Sequence, residues 1–235
     1  MNDQTIIPQT WQELSGLINY SNLAVDAREN DIRLLCLEAE KYLIGTVVVS
    51  PVDTSLAAQY CQGSKVKVAS AISYPIGADL PEMKALEIQE AIADGAKSIY
   101  MHMAVGAFRE RLVKKQTKPE IENLVKIADG RPTTLITEGS VLSLGQIKAI
   151  VKMSAEAGVN NIAVCSGFER SRLPEITNKV IGEFVTAAKD SIGIVYMGRI
   201  KDLDRTLELI KMGVSRVCTP DARRILKCHS TFPFN

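Results

Sequence analysis

Along the chain, short apolar runs rich in β-branched residues alternate with longer stretches in which apolar residues recur every three or four positions. The short runs are Ile44–Ser50, Val66–Ser73, Ser98–Ala104, Thr133–Thr137, Asn161–Cys165, Ile192–Met197 and Ser215–Cys218, with a weaker eighth at Leu17–Ser21. Alternation of this kind predicts repeated strand–helix units and a parallel sheet. Between the runs, Ala85, Ile88 and Ile92, then Leu144, Ile147, Val151 and Ala155, then Leu203, Leu207 and Ile210 each share one helical face. Three of these helices run into a glycine, Gly95, Gly158 and Gly213, as expected where a helix end needs a left-handed residue before the next strand. The pattern predicts one (β/α)8 barrel over residues 1–235, with an N-terminal helical extension and its reacting groups at the C-terminal ends of the strands. A doubly wound open sheet is the alternative, but no G-x-G-x-x-G turn follows the first strand to support it. The loosest stretches are Met1–Thr10, the charged run Lys114–Pro119, read as a solvated face, and His229–Asn235.

Composition bears on function more than on fold. Apolar residues make up 46% and charged residues 23% of the 235, the profile of an ordinary globular chain. Twenty-eight basic residues against 27 acidic ones leave a net charge of +1, too small for the broad positive field that nonspecific nucleic-acid or anionic-membrane binding needs. A small-molecule partner is expected. The cysteines, Cys36, Cys61, Cys165, Cys218 and Cys228, are odd in number and form no C-x-x-C pair, so they read as thiols of a cytoplasmic protein. With only His102 and His229 available, neither a metal site nor a Ser-His-Asp arrangement is expected, and no cofactor is implied. No run of about 20 apolar residues is present, so no membrane-spanning helix is expected.

Several segments, in order, resemble the deoxyribose-phosphate aldolase family from about Leu14 to Leu226. Asn30–Tyr42 is similar to the family's helix ahead of a strand ending in N-P, here Val47–Pro51. Val66–Ala78 (VKVASAISYPIGA) resembles K-V-A-T-V-V-G-F-P-x-G, and the following helix closes in the family's A-x-x-D-G-A form. Cys165–Phe168, Gly198–Lys201 and Ser215–Thr219 fall where the family has T-S-T-G-F, G-G-I-R and T-R-I-G-T. The resemblance implies a barrel that cleaves deoxyribose 5-phosphate to acetaldehyde and glyceraldehyde 3-phosphate through a lysine Schiff base, and a homodimer as the assembly to expect. The chemistry needs an amine, because only an amine condenses with the carbonyl and then accepts the electrons of the broken C–C bond.

At the positions implied by that resemblance, this chain departs from the family. Ala163 stands in place of the Schiff-base lysine, and Val195 in place of the lysine that lowers its pKa. Tyr100 replaces the relay aspartate, Ala104 the asparagine of the same strand, Asn19 the N-terminal aspartate, and Ser50 the asparagine before proline. The family glutamate aligns with Thr137, or with Glu138 after a one-residue shift. At the phosphate end Gly167 and Gly198 remain, but Arg199 replaces the second glycine of G-G-I-R, and Pro220 and Asp221 replace a serine pair. A carboxylate there repels a dianion, and Arg199 and Asp221 are expected to face each other across the old phosphate subsite.

The candidate catalytic residues are therefore Tyr100, His102, Thr137, Glu138 and Cys165, and the candidate substrate-binding residues Ser50, Gly167, Tyr196, Gly198, Arg199 and Asp221. Strand alternation sends Tyr100 and His102 to one side, so both are expected in one pocket at or just below the C-terminal mouth. An imidazole titrates near neutrality, which makes His102 a general-base candidate; a hydrogen-bonded core histidine one layer down is the other reading. Cys165 reads either as a thiol at the mouth or as a small apolar filler. Two functions stay open at this point. One is a repurposed lyase-type or acid/base enzyme acting on a small carbonyl metabolite without a Schiff base; the other is a catalytically inactive paralogue that binds a metabolite or a protein.

Overall fold

A computed structural model describes residues 7–110, 114–168, 173–200 and 202–227. In chain order the elements are α1 (Trp11–Gly16), β1 (Ile18–Asn22), α2 (Glu29–Lys41), β2 (Thr46–Val49), α3 (Thr54–Tyr60), β3 (Lys67–Ile72), α4 (Pro81–Ala93), β4 (Ser98–His102), α5 (Val105–Arg109), α6 (Lys114–Ile127), β5 (Thr133–Ile136), α7 (Leu144–Glu156), β6 (Asn161–Ala163), α8 (Asn178–Ala188), β7 (Gly193–Met197), α9 (Leu203–Lys211), β8 (Arg216–Thr219) and α10 (Ala222–Leu226). All eight strands pair in parallel with their neighbours, and β8 closes back onto β1, giving a closed barrel. The short helix α1 precedes the first strand.

Local chemistry explains where the helices begin and end. The Thr10 and Ser143 hydroxyls accept from the backbone N–H of Glu13 and Gln146, whose side chains reach back to the N–H groups of Thr10 and Ser143. Asp202 caps α9 alone, through the Arg205 N–H at 2.8 Å. Gly95, Gly158 and Gly213, just past the ends of α4, α7 and α9, have φ of 103°, 83° and 98°, which only glycine adopts without steric cost.

Alternation along the strands divides the core in two. Inside the barrel, Val48, Ala71, Ile136, Ala163, Val195, Met197 and Cys218 pack together, with Leu23 and Tyr74 laid on top of them. Between barrel and helices, Ile99, Met101, Leu135, Ile162, Val164 and Val217 meet Leu35, Ile88, Ile147, Val151 and Phe184. This is the barrel's usual construction, a filled interior and an apolar sleeve, and it leaves chemistry to the two open ends. Among the described residues, no helix is long and apolar enough to cross a membrane.

Candidate functional site

The loops after the strands enclose a hollow of about 230 Å³ at the C-terminal end. Its walls come from Ser21–Asp26, Ser166–Phe168 and Met197–Arg199, with Tyr74 and Pro220. Tyr74 spans it: its hydroxyl donates to the Ser166 carbonyl at 3.3 Å, and its ring meets Phe168 edge-on with centroids 6.3 Å apart. With Leu23, this ring seals the apolar interior from the mouth.

Ala163 and Val195 are register partners on β6 and β7 and are fully buried beneath that seal. They are therefore adjacent, as the resemblance requires of the two positions. Val48, Ala71, Ile136, Met197 and Cys218 pack around them.

The glycine turns are tightly closed. Gly167 has φ of 70°, and a Cβ there would run into the Cα of Gly198, so both positions demand the smallest residue. A phosphate cradle needs free N–H groups. The Gly198 N–H instead donates to the Cys218 carbonyl at 2.9 Å. Beside them Arg199 Nη1 lies 3.3 Å from Asp221 Oδ1, with the arginine half exposed and the carboxylate mostly covered. The second oxygen of Asp221 is buried and has no hydrogen-bond partner among the described residues. The old phosphate corner thus holds a carboxylate where a dianion would need donors.

Cys165 is buried, and its Sγ donates to the Met197 carbonyl at 3.0 Å. Burial pushes its thiol up to about 12, with the carboxylate of Glu138 adding to the rise. It stays protonated at neutral pH, whereas nucleophilic chemistry needs the thiolate.

Tyr100 and His102 share a strand face but not a pocket, and this corrects the expectation drawn from alternation. The Tyr100 hydroxyl accepts from Asn19 Nδ2 at 2.6 Å and lines a cavity at the opposite, N-terminal end with Asn19, Thr134 and Asn161. Burial raises its pKa well above the ordinary phenol value, so it remains neutral. His102, the last residue of β4, lines a separate small hollow with Met103, Thr117, Glu120 and Ile121. Alternation fixes which side of a strand a residue takes, not whether it leans up or down the barrel axis.

His102 is almost wholly buried. Its Nδ1 is 3.0 Å from the Met103 carbonyl, which can only accept, so Nδ1 carries a proton. Its Nε2 is buried without a hydrogen-bond partner among the described residues, 3.7 Å from Glu138 Oε1, too far for a hydrogen bond. The turn after β3 presses down on the ring: a Cβ on Gly77 would collide with His102 Nδ1 and the Met103 carbonyl. Tyr74 completes the cover, its ring centroid 6.4 Å from that of His102.

Three further candidates stand apart from the hollow. Thr137 is fully buried, its hydroxyl donating to the Ala163 carbonyl at 2.8 Å, so it ties β5 to β6. Tyr196 points outward from β7 into the sleeve beneath the helices, and burial pushes its phenol up to about 12. Ser50 follows β2 and does not line the hollow; its carbonyl accepts from the Thr54 hydroxyl at 3.2 Å. Residues that the sequence reading passed over, Tyr74, Leu23 and Phe168, shape the mouth instead. An aromatic at the F-P-x-G position was the available signal. Among the described residues, no group of three or more His, Cys, Asp or Glu side chains gathers to hold a metal ion.

Taken together, the fold and its mouth are those of a closed parallel (β/α)8 barrel whose hollow is framed by glycine turns after β6 and β7. No family model matches the chain. The deoxyribose-phosphate aldolase of Methanothermobacter thermautotrophicus is 31% identical over 224 residues, covering 93% of this chain and 96% of that protein. The deoxyribose-phosphate aldolase of Caldicellulosiruptor saccharolyticus is 33% identical over 217 residues, covering 89% and 95%. Among solved structures, the tetrameric deoxyribose phosphate aldolase of Aeropyrum pernix superposes with a TM-score of 0.87 at 21% identity, over 96% of this chain and 94% of that one. The chain belongs to the deoxyribose-phosphate aldolase family.

Proposed function

We propose that this member of the family has given up Schiff-base chemistry and keeps its C-terminal mouth as a binding site for a small, unphosphorylated carbonyl or hydroxyl compound. The observation that carries the reading is the pair Ala163 and Val195, adjacent in register, fully buried and surrounded by apolar side chains. An imine cannot form without an amine at that layer. The absence of phosphate selectivity follows from the Gly198 N–H already donating to Cys218 and from the Asp221 carboxylate beside Arg199. The tetramer described for the Aeropyrum pernix relative supports a homo-oligomer here, and the four described cysteines, all buried free thiols, fit a cytoplasmic protein.

A second reading rests on one specific observation, the unpartnered Nε2 of His102 facing Glu138. If the Tyr74 turn lifts, the two become an acid/base pair able to move a proton on a bound carbonyl compound. Methyl NMR of the unaltered protein tests the main reading. Adding unphosphorylated 2-deoxyribose shifts the Met197 methyl signal, and deoxyribose 5-phosphate shifts it less. Steady release of acetaldehyde from deoxyribose 5-phosphate at aldolase rates overturns it.

A further inference from the structure

The opposite end of the barrel holds a larger cavity, of about 860 Å³, inside the range of small-molecule sites. Its rim is built from the first residues of four strands, Thr46, Lys67, Ser98 and Arg216, so it opens at the N-terminal face. That face of such barrels is normally read as structural. Here it is neither plugged nor neutral.

Lys65, Lys67, Lys97 and Arg216 all line the cavity, and no Asp or Glu does. Three lysines elsewhere are paired: Lys84 with Glu120, and Lys118 and Lys152 with Glu156. None of the ion pairs among the described residues involves the four cations of the cavity. Arg216 is held by a hydrogen bond from Nη1 to the Gly16 carbonyl at 2.7 Å, which anchors the guanidinium at the rim. Like charges gathered around one hollow repel, and an anion in the hollow relieves that repulsion.

The floor is polar as well. Asn19 donates to Tyr100, and Asn161 Nδ2 lies 3.5 Å from the Thr134 hydroxyl, so amides and hydroxyls face inward where apolar side chains fill the layers above. Room for them is kept by Gly193, because a Cβ there would overlap the Asn161 side-chain oxygen. Cations at the rim and hydrogen-bonding groups at the floor are complementary to a molecule with a charged phosphate at one end and hydroxyls at the other.

We infer that the N-terminal end of the barrel is a second binding site, one that takes a small phosphate ester with its phosphate at Lys67, Lys97 and Arg216 and its hydroxyl-bearing part toward Asn19 and Tyr100. The net charge of +1 conceals this site, because the balancing acids lie elsewhere on the surface.

The test uses the full chain and inorganic pyrophosphate at constant ionic strength, read by acetylation of lysines and mass spectrometry. Pyrophosphate is expected to protect Lys65, Lys67 and Lys97 while Lys152, on the outer face of α7, reacts as before. In binding titrations, Lys67→Gln and Arg216→Gln are each expected to weaken pyrophosphate about tenfold, whereas Arg199→Gln at the other mouth leaves it unchanged. Equal protection of Lys152, no protection up to about 10 mM pyrophosphate, or loss of binding in Arg199→Gln but not in Lys67→Gln overturns the inference. The footprint needs no substitution, so a variant that fails to fold does not leave the question open.

Discussion

The two ends of this barrel present different side chains. At the C-terminal end a hollow of about 230 Å³ is floored by Tyr74 and Leu23, and the Arg199 at its wall is paired with Asp221. At the N-terminal end about 860 Å³ stands open among four cations. The loops at the C-terminal end also carry exposed apolar side chains, Val25, Val52, Ile76 and Leu80. The same eight strands support both ends, so the difference lies in a handful of inward-facing residues rather than in the backbone. A family's fold and its chemistry can therefore separate: belonging to the aldolase family fixes the barrel, while the site residues decide what the barrel does.

The largest expected effect comes from putting charge back into the sealed interior. Ala163→Lys should cost about 3 kcal/mol or more at pH 7, because an ammonium is placed among apolar neighbours without a partner. The buried amine has a folded-state pKa below its unfolded value, so the cost is present at neutral pH and disappears as pH rises past the unfolded pKa of about 10.4. Urea unfolding at pH 7 and pH 10.5 checks this. A variant as stable as the parent at pH 7 would mean that the interior is wetter and more polar than its packing indicates.

Close behind is Gly167→Val, expected to lose about 3 kcal/mol from a positive φ combined with a clash against Gly198. Urea unfolding reads this as well, and a neutral result would show that the glycine turns of the mouth have slack. His102→Ala is expected to lower stability by about 1 to 3 kcal/mol through lost packing beneath the Gly77 turn. Should the variant keep its melting temperature while abolishing a turnover found in the parent, the acid/base reading of the C-terminal end replaces the binding one.

Smaller still is the pH dependence contributed by Cys165. Its folded pKa of about 12 lies above the unfolded thiol value, so the folded state holds the proton more tightly. The stability this contributes is fully present below about pH 8.5 and declines as pH rises toward 12. Cys165→Ala should flatten that decline. Native alkylation of Cys165 at pH 8 should be far slower than in urea, and equal rates would return the thiol to the list of reactive groups. At the bottom of the scale, Arg199→Ala should change stability by no more than about 1 kcal/mol, as expected for a half-exposed ion pair.

Much of the fold was legible from the pattern. The β-branched runs marked all eight strands to within one or two residues at each end: Ser98–Ala104 contracts to Ser98–His102 and Asn161–Cys165 to Asn161–Ala163, while Leu17–Ser21 and Ser215–Cys218 each shift one residue on. Gly95, Gly158 and Gly213 marked their helix ends because the left-handed requirement is local. The site was less legible, since its decisive features depend on barrel closure. Periodicity puts Tyr100 inside, but only the position of Asn19 across the barrel draws the hydroxyl toward the N-terminal end. The glycines at 167 and 198 look like a phosphate cradle until the Cys218 carbonyl is seen to take one of their N–H groups. Arg216 is far in sequence from Lys65, Lys67 and Lys97, and only the closed sheet gathers all four round one cavity.

The central claim, that the C-terminal mouth no longer forms an imine, is tested most directly by trapping. The protein is incubated with acetaldehyde or deoxyribose 5-phosphate, reduced with borohydride and weighed intact by mass spectrometry. The account predicts an unchanged mass apart from slow labelling spread over surface lysines. A single stoichiometric adduct on one lysine would contradict it.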